Sequence, residues 1–183
     1  MQVFRERGFE GASVKDLERS TGISSGSLYN SFGGKEDIFV EALGHYNKTV
    51  VRERVERFLS NKSPIKGLTS LFLSLLPNTP DGLHGCLLTN SAVEFGAGKS
   101  IATAGVHEGF TILEDGFQRS IDQLILENGD GVRSKFAKSH IHSAKKLLTL
   151  YQGILVLVRF GQSPKELSAF IKNEIKQLTG TNK

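Results

Sequence analysis

Apolar residues recur along this chain at steps of three and four, and no stretch sustains the alternation of a half-buried strand. Met1–Arg7 carries Val3 and Phe4 and reads as the end of a helix that stops at Gly8. Ser13 stands three residues ahead of Asp16, so it can cap a short helix that ends at Thr21-Gly22. Ile23 is expected to point inward, and Ser24 or Ser25 to cap a second short helix running to about Ser31. Phe32-Gly33-Gly34 breaks the chain again. From Lys35 to about Leu59, residues such as Phe39, Leu43, Tyr46, Val50, Val55 and Phe58 form one amphipathic stripe. A helix of that length would span roughly 37 Å.

A boundary follows at Asn61-Lys62-Ser63-Pro64, with Pro64 at a favoured first helical position. Helical stretches are then expected at Ile65–Leu76, Gly85–Phe95, Ile101–Glu127, Arg133–Phe160 and Pro164–Leu178, with a loop from Leu76 to Gly82. The pattern therefore predicts an all-α protein of about nine helices. A three-helix module with a helix-turn-helix would occupy residues 1–45, and a larger helical domain residues 46–183.

Composition narrows the class. With 183 residues, one compact body carrying a small module fits better than two full-sized domains. Hydrophobic residues at 38% and charged residues at 23% exclude a disordered chain. One cysteine excludes an internal disulfide framework and suits a reducing cytoplasm. The first ten residues lack the apolar run of a signal peptide. The most apolar stretch, Leu147–Phe160, contains Gln152 and Arg159 and is shorter than the ~20 residues of a membrane span. The expectation is a soluble cytoplasmic protein with no membrane partner.

The net charge of +4 invites a nucleic-acid reading, but its distribution does not carry one. Residues 1–60 hold nine Lys/Arg and nine Asp/Glu, so the whole surplus lies beyond them. The argument for DNA rests on placement instead. Two short helices joined by Thr21-Gly22-Ile23-Ser24 form a helix-turn-helix, with Leu17, Ile23 and Leu28 expected to close its core. Ser25, Ser27, Asn30 and Ser31 share the outer side of the second helix, while Leu28 and Phe32 are expected to point back. Small hydroxyl side chains let a helix approach a major groove closely and bond to base edges or phosphates. Lys35 would add its charge to the positive end of the following helix, a phosphate-binding arrangement.

These residues resemble the TetR family of bacterial transcriptional regulators. The matching positions are Val3-Phe4, Gly8-Phe9, Ser13-Val14, Asp16-Leu17, Thr21-Gly22-Ile23-Ser24, Gly26-Ser27-Leu28-Tyr29, Phe32, Lys35-Glu36 and Phe39. The resemblance is specific over about a quarter of the chain and continues beyond it only as helix number and length. It implies that Tyr29 and Lys35 contact phosphates, that Lys15, Ser25 and Ser27 reach base edges, and that Asn30 and Ser31 make backbone-side contacts. Two departures stand out. The family's first helix normally begins some ten residues earlier, which implies a missing front half or a start at an internal methionine. Glu18 stands where the family prefers alanine, as a solvated carboxylate or as a mild weakness of the module.

The resemblance also implies a homodimer formed by the last two long helices, bound to a pseudo-palindromic operator and released by a small-molecule effector. Apolar stripes suited to the dimer are Leu148, Leu155 and Val158, then Phe170, Ile171, Ile175 and Leu178, with the subunit's own core competing for about half of them. Candidates for an effector pocket are Cys86, Asn90, Glu94, Phe110, Phe117, Tyr151 and Gln152. The Lys35–Leu59 helix would be the mechanical link between pocket and DNA module.

Cys86 opens a helix, where partial positive charge lowers a thiol pKa, and some TetR-like regulators sense electrophiles or oxidants with a cysteine in a similar setting. A small buried hydrophobe is the favoured reading for it. His140 and His142, two positions apart on a helix, do not make a metal site, and Glu114-Asp115 reads as a solvated face. Neither a cofactor nor a metal is expected. The function expected is a one-component DNA-binding repressor and not an enzyme. Its competitors are an electrophile-sensing regulator acting through Cys86, an enzyme using Cys86 with His84, and a helical interaction protein with impaired DNA binding.

Overall fold

The computed structural model describes residues 1–60, 63–77, 85–128 and 143–178, and every regular element among them is helical. The helices are α1 (Gln2–Arg7), α2 (Val14–Thr21), α3 (Ser25–Phe32), α4 (Lys35–Tyr46), α5 (Glu53–Leu59) and α6 (Pro64–Leu73). They continue with α7 (Leu87–Phe95), α8 (Thr103–Asn128), α9 (Ser143–Arg159) and α10 (Pro164–Leu178). A π-helical stretch, Asn47–Arg52, joins α4 to α5. With that rod counted once, the described residues hold nine helices, the number the hydrophobic spacing predicts. His84, His140, His142, the loop residues from Asn78 onward and the first part of the expected Arg133–Phe160 helix lie outside the described residues.

The local reasons are legible in the side chains. At the start of α2 the Ser13 hydroxyl accepts the Asp16 N–H, and the Asp16 carboxylate accepts the Ser13 N–H in return. Gly22, at φ 70°, takes the left-handed conformation that stops α2. Ser24 rather than Ser25 caps α3, its hydroxyl accepting the Ser27 N–H. Pro64 occupies the first turn of α6, where its missing N–H is of no consequence. The Lys35–Leu59 rod differs from a uniform α-helix in its π-helical middle. Three β-branched residues in succession, Thr49, Val50 and Val51, crowd the turn there, and the Thr49 hydroxyl donates to the His45 carbonyl.

Contacts divide the chain into two compact units, Met1–Val50 with His84–Gly109, and Val51–Leu83 with Phe110–Lys183. The first unit therefore includes α7 and the start of α8 as well as the three-helix module. Its core is a cluster of four rings. Phe39 meets Phe4 and Phe9 edge-on at centroid distances of 5.1 and 5.2 Å, and Phe95 of α7 lies 5.5 Å from Phe9. A fully buried phenylalanine contributes about 2–3 kcal/mol, so this cluster is the main apolar anchor of so small a module. Leu17 and Leu28 are buried as well.

Two inward positions expected from the sequence are not inward. Ile23 is 45% and Phe32 43% exposed. Ile23 sits in the turn between Gly22 and the Ser24 cap, and Phe32 is the last residue of α3 before Gly33 turns the chain at φ 97°. Leu17 and Leu28 are the buried apolar residues of α2 and α3.

The second unit is built on α6, which packs against both α5 and α10, while α9 packs against α10. Phe72, Phe117 and Tyr151 meet at its centre with ring centroids 5.8 to 6.1 Å apart. Among the described residues no helix is long and apolar enough to cross a membrane.

Candidate nucleic-acid interface

The helix-turn-helix presents its polar side chains outward from a rigid support. On α2, Lys15 is exposed. On α3, Ser27, Tyr29, Asn30 and Ser31 are exposed while Leu28 alone is buried. Five of the seven DNA-facing positions expected from the sequence are thus available on one short motif.

The other two are partly engaged. Lys35 begins α4, and its Nζ lies 4.4 Å from the centroid of the Phe9 ring, a cation–π contact that holds the ammonium beside the ring cluster. The first turn of α4 also carries Glu36 and Asp37, and Asp37 accepts the Gly34 N–H at 2.7 Å. That helix end is therefore less positive than the dipole and Lys35 alone would make it. Ser25 is half-buried and its hydroxyl donates to Glu18 Oε2 at 2.5 Å. Glu18 is therefore bonded across the turn to the first residue of α3, a role that the sequence reading of a solvated carboxylate misses.

Asp16 is held below its ordinary pKa. Hydrogen bonds from the Ser13 hydroxyl and backbone stabilise its charged form most, and Arg7 and Arg19 add attraction.

Four hydrogen bonds tie α7 and the residue Gly85 before it to α1 and the residues just after it, within the same unit. Arg5 Nε donates to the Gly85 carbonyl at 2.7 Å, and Asn90 Nδ2 donates to the Arg5 carbonyl at 3.0 Å. Glu94 accepts the N–H groups of both Phe9 and Glu10 at 2.8 Å. Asn90 and Glu94 are candidates for a pocket by sequence, yet these contacts turn both toward α1. The signal is invisible locally, because the partners are more than eighty positions apart.

The remaining pocket candidates fall in different places. Cys86 caps α7 at 4% exposure, and the Tyr46 hydroxyl lies 3.4 Å from its Sγ. Phe117 and Tyr151 belong to the aromatic centre of the second unit, where Arg54 reaches the Tyr151 hydroxyl at 3.5 Å. Phe110 and Gln152 are half-buried in that unit. Glu114 pairs with Lys145 at 2.5 Å, and Asp115 beside it is exposed.

The candidate dimer residues also divide. Leu148, Leu155, Val158, Ile171 and Ile175 are buried within the single chain. They belong to the subunit's own core. Phe170 is exposed, and the side chain of Leu178 lies outside the described residues. Sequence spacing identifies the stripes and not which stripe faces out. Val156 and Phe160, which it passes over, are 51% and 85% exposed.

Residues 1–42 match the family model described as bacterial regulatory proteins, tetR family. The chain is 35% identical over 97 residues to the uncharacterised HTH-type transcriptional regulator YezE of Bacillus subtilis, covering 51% of this chain and 50% of that one. It is 26% identical over 172 residues to the HTH-type transcriptional repressor DhaR of a Mycobacterium species, covering 93% of this chain and 83% of that one. The chain thus spans half the length of the first relative and most of the second. The fold matches that of a CifR cysteine mutant, a TetR family regulator solved with a 26 bp operator duplex, at TM-score 0.73 and 23% identity. That match covers 95% of this chain and 90% of CifR.

Proposed function

We propose that the chain is a one-component transcriptional repressor of the TetR family of bacterial regulatory proteins. The observation that carries this reading is the outward face of α3. Ser27, Tyr29, Asn30 and Ser31 are exposed on a helix capped by Ser24 and seated on Leu28, with Lys15 exposed on the preceding helix. Such a face serves recognition in a major groove, where the first residues of the second helix meet base edges. Tyr29 and Lys35 contact phosphates, and Ser25, Ser27 and Lys15 meet the bases, with Asn30 and Ser31 on the backbone side. The protein is not an enzyme in this reading.

It acts as a homodimer on a pseudo-palindrome, which places two recognition helices about one DNA turn (~34–36 Å) or more apart. The seam lies on the outward faces of α9 and α10. Gly153, Val156 and Phe160 line one, and Ala169, Phe170 and Asn173 line the other, all exposed in the single chain. Gly153, Val156 and Phe160, and likewise Phe170 and Asn173, recur at steps of three and four, the spacing that lets helices of two subunits pack as a four-helix bundle. A small-molecule effector releases the operator by binding better to a conformation with another spacing of the recognition helices, and the coupling equals that difference in affinity.

Replacing Lys15 and Tyr29 together by alanine tests the surface. Loss of sequence-specific DNA binding with helicity unchanged supports the assignment, whereas undiminished binding places the interface elsewhere.

A further inference from the structure

Two serines at the start of α3 are offered to DNA in opposite hydrogen-bonding states. Ser25 Oγ donates its proton to Glu18 Oε2 at 2.5 Å. A carboxylate only accepts, so the proton in that contact belongs to the serine. Ser25 keeps its lone pairs and has no proton left to give. Ser24 Oγ, the cap, accepts the Ser27 N–H at 3.2 Å and donates its own proton to Ser27 Oγ at 3.0 Å. Ser27 therefore receives a hydrogen bond and keeps its proton to offer outward.

A free serine hydroxyl rotates and reads donors and acceptors alike, which is why serine discriminates bases weakly. Fixing the proton removes that tolerance. We infer that Glu18 is a positioning residue for sequence specificity, which commits the Ser25 hydroxyl as an acceptor so that it selects a base bearing an amino group in the major groove. Adenine N6 and cytosine N4 are the amino donors there, whereas guanine and thymine present acceptors at the corresponding edge. Ser25 thus selects adenine or cytosine on the strand it faces. Ser27 keeps its proton and one lone pair, so it can meet either kind of edge and is not committed in the same way. The glutamate that departs from the family's usual alanine converts an indifferent hydroxyl into a directional one. This inference rests on the DNA-binding reading above.

The test is affinity selection from a pool of randomised duplexes with the full chain, compared with its Ser25→Ala and Glu18→Ala variants. The wild type is expected to enrich adenine or cytosine about fivefold at one position of each half-site, the discrimination of one net hydrogen bond. Ser25→Ala makes that position degenerate and leaves the others. Glu18→Ala frees the Ser25 proton and admits all four bases there, while enrichment elsewhere in the motif reports an intact module. A motif in which Ser25→Ala erases a preference for guanine or thymine overturns the inference. So does a Glu18→Ala motif identical to the wild type. If Glu18→Ala does not fold, the base lost in Ser25→Ala decides alone. Selection of no motif by the wild type overturns the DNA-binding reading itself, a result separate from a motif indifferent to both variants.

Discussion

The Glu94 side chain on α7 accepts the backbone N–H of Phe9 at 2.8 Å, eighty-five positions away, and its other oxygen accepts the N–H of Glu10. The carboxylate thus fastens the connection between α1 and α2 to a helix outside the N-terminal module. Bonds of this kind to a charged acceptor contribute about 1.5–3 kcal/mol each where partly buried, and less where exposed.

Glu94→Ala is accordingly expected to destabilise the first unit by about 2 kcal/mol and to loosen α1 in particular. Amide hydrogen exchange is the direct measurement. The Phe9 and Glu10 amides should lose protection while Leu17 and Leu28 keep theirs. Unchanged protection at Phe9 would show that the ring cluster alone holds the connection.

The Ser13–Asp16 pair makes a prediction about pH. Hydrogen bonds from Ser13 lower the Asp16 pKa in the folded chain, so the unfolded chain binds the proton more readily. The stabilisation is present above the ordinary carboxylate pKa and is lost as pH falls through that value toward the lowered one. Ser13→Ala should destabilise the chain at every pH by loss of the cap, and further near neutrality by loss of the hydrogen bond to the Asp16 carboxylate, so the difference shrinks in acid. Urea unfolding of both proteins across that range measures it, and a pH-independent difference would contradict the account.

Cys86 is expected to be slow toward thiol reagents in the native protein. It is 4% exposed, and the thiolate that would react must first be uncovered. Timed modification with a chromogenic disulfide should proceed at the rate of local opening and become fast in denaturant. Prompt native-state modification would favour an electrophile-sensing regulator.

The dimer reading separates two kinds of apolar residue on α9. Val156→Glu, on the outward face, should weaken self-association with little change in helicity. Leu155→Ala, buried within the chain, should instead lower stability by about 2–5 kcal/mol through the cavity it leaves. Sedimentation equilibrium and thermal unfolding distinguish the two. Association unaffected by Val156→Glu would move the seam off this face.

Much of the fold was legible because local chemistry dictated it. The Ser13 cap, the Gly22 stop, Pro64 at the first turn of α6 and the apolar spacing of the long helices all follow from neighbours within four positions. What was not legible depended on distant partners. Asn90 and Glu94 looked like polar handles for a ligand until α1 arrived beside them. Leu148 and Ile171 looked equally suited to a partner subunit or to their own core, since a stripe wider than one interface carries no label for its inner edge. Ile23 and Phe32 are apolar yet exposed, since a module this small cannot enclose every apolar side chain. The candidate DNA face stood between these cases. Its residue positions were readable from the motif, but the hydrogen bond of Ser25 to Glu18 was not.

The most direct test of the central claim is a binding titration of the purified protein against the DNA upstream of its own gene. A scrambled duplex of equal length and composition serves as the reference, at one fixed moderate salt concentration, because phosphate contacts make affinity salt-dependent. The account predicts binding to the upstream duplex at least about a thousandfold tighter than to the scrambled one. Equal, weak binding to both duplexes would contradict a repressor that acts at its own operator.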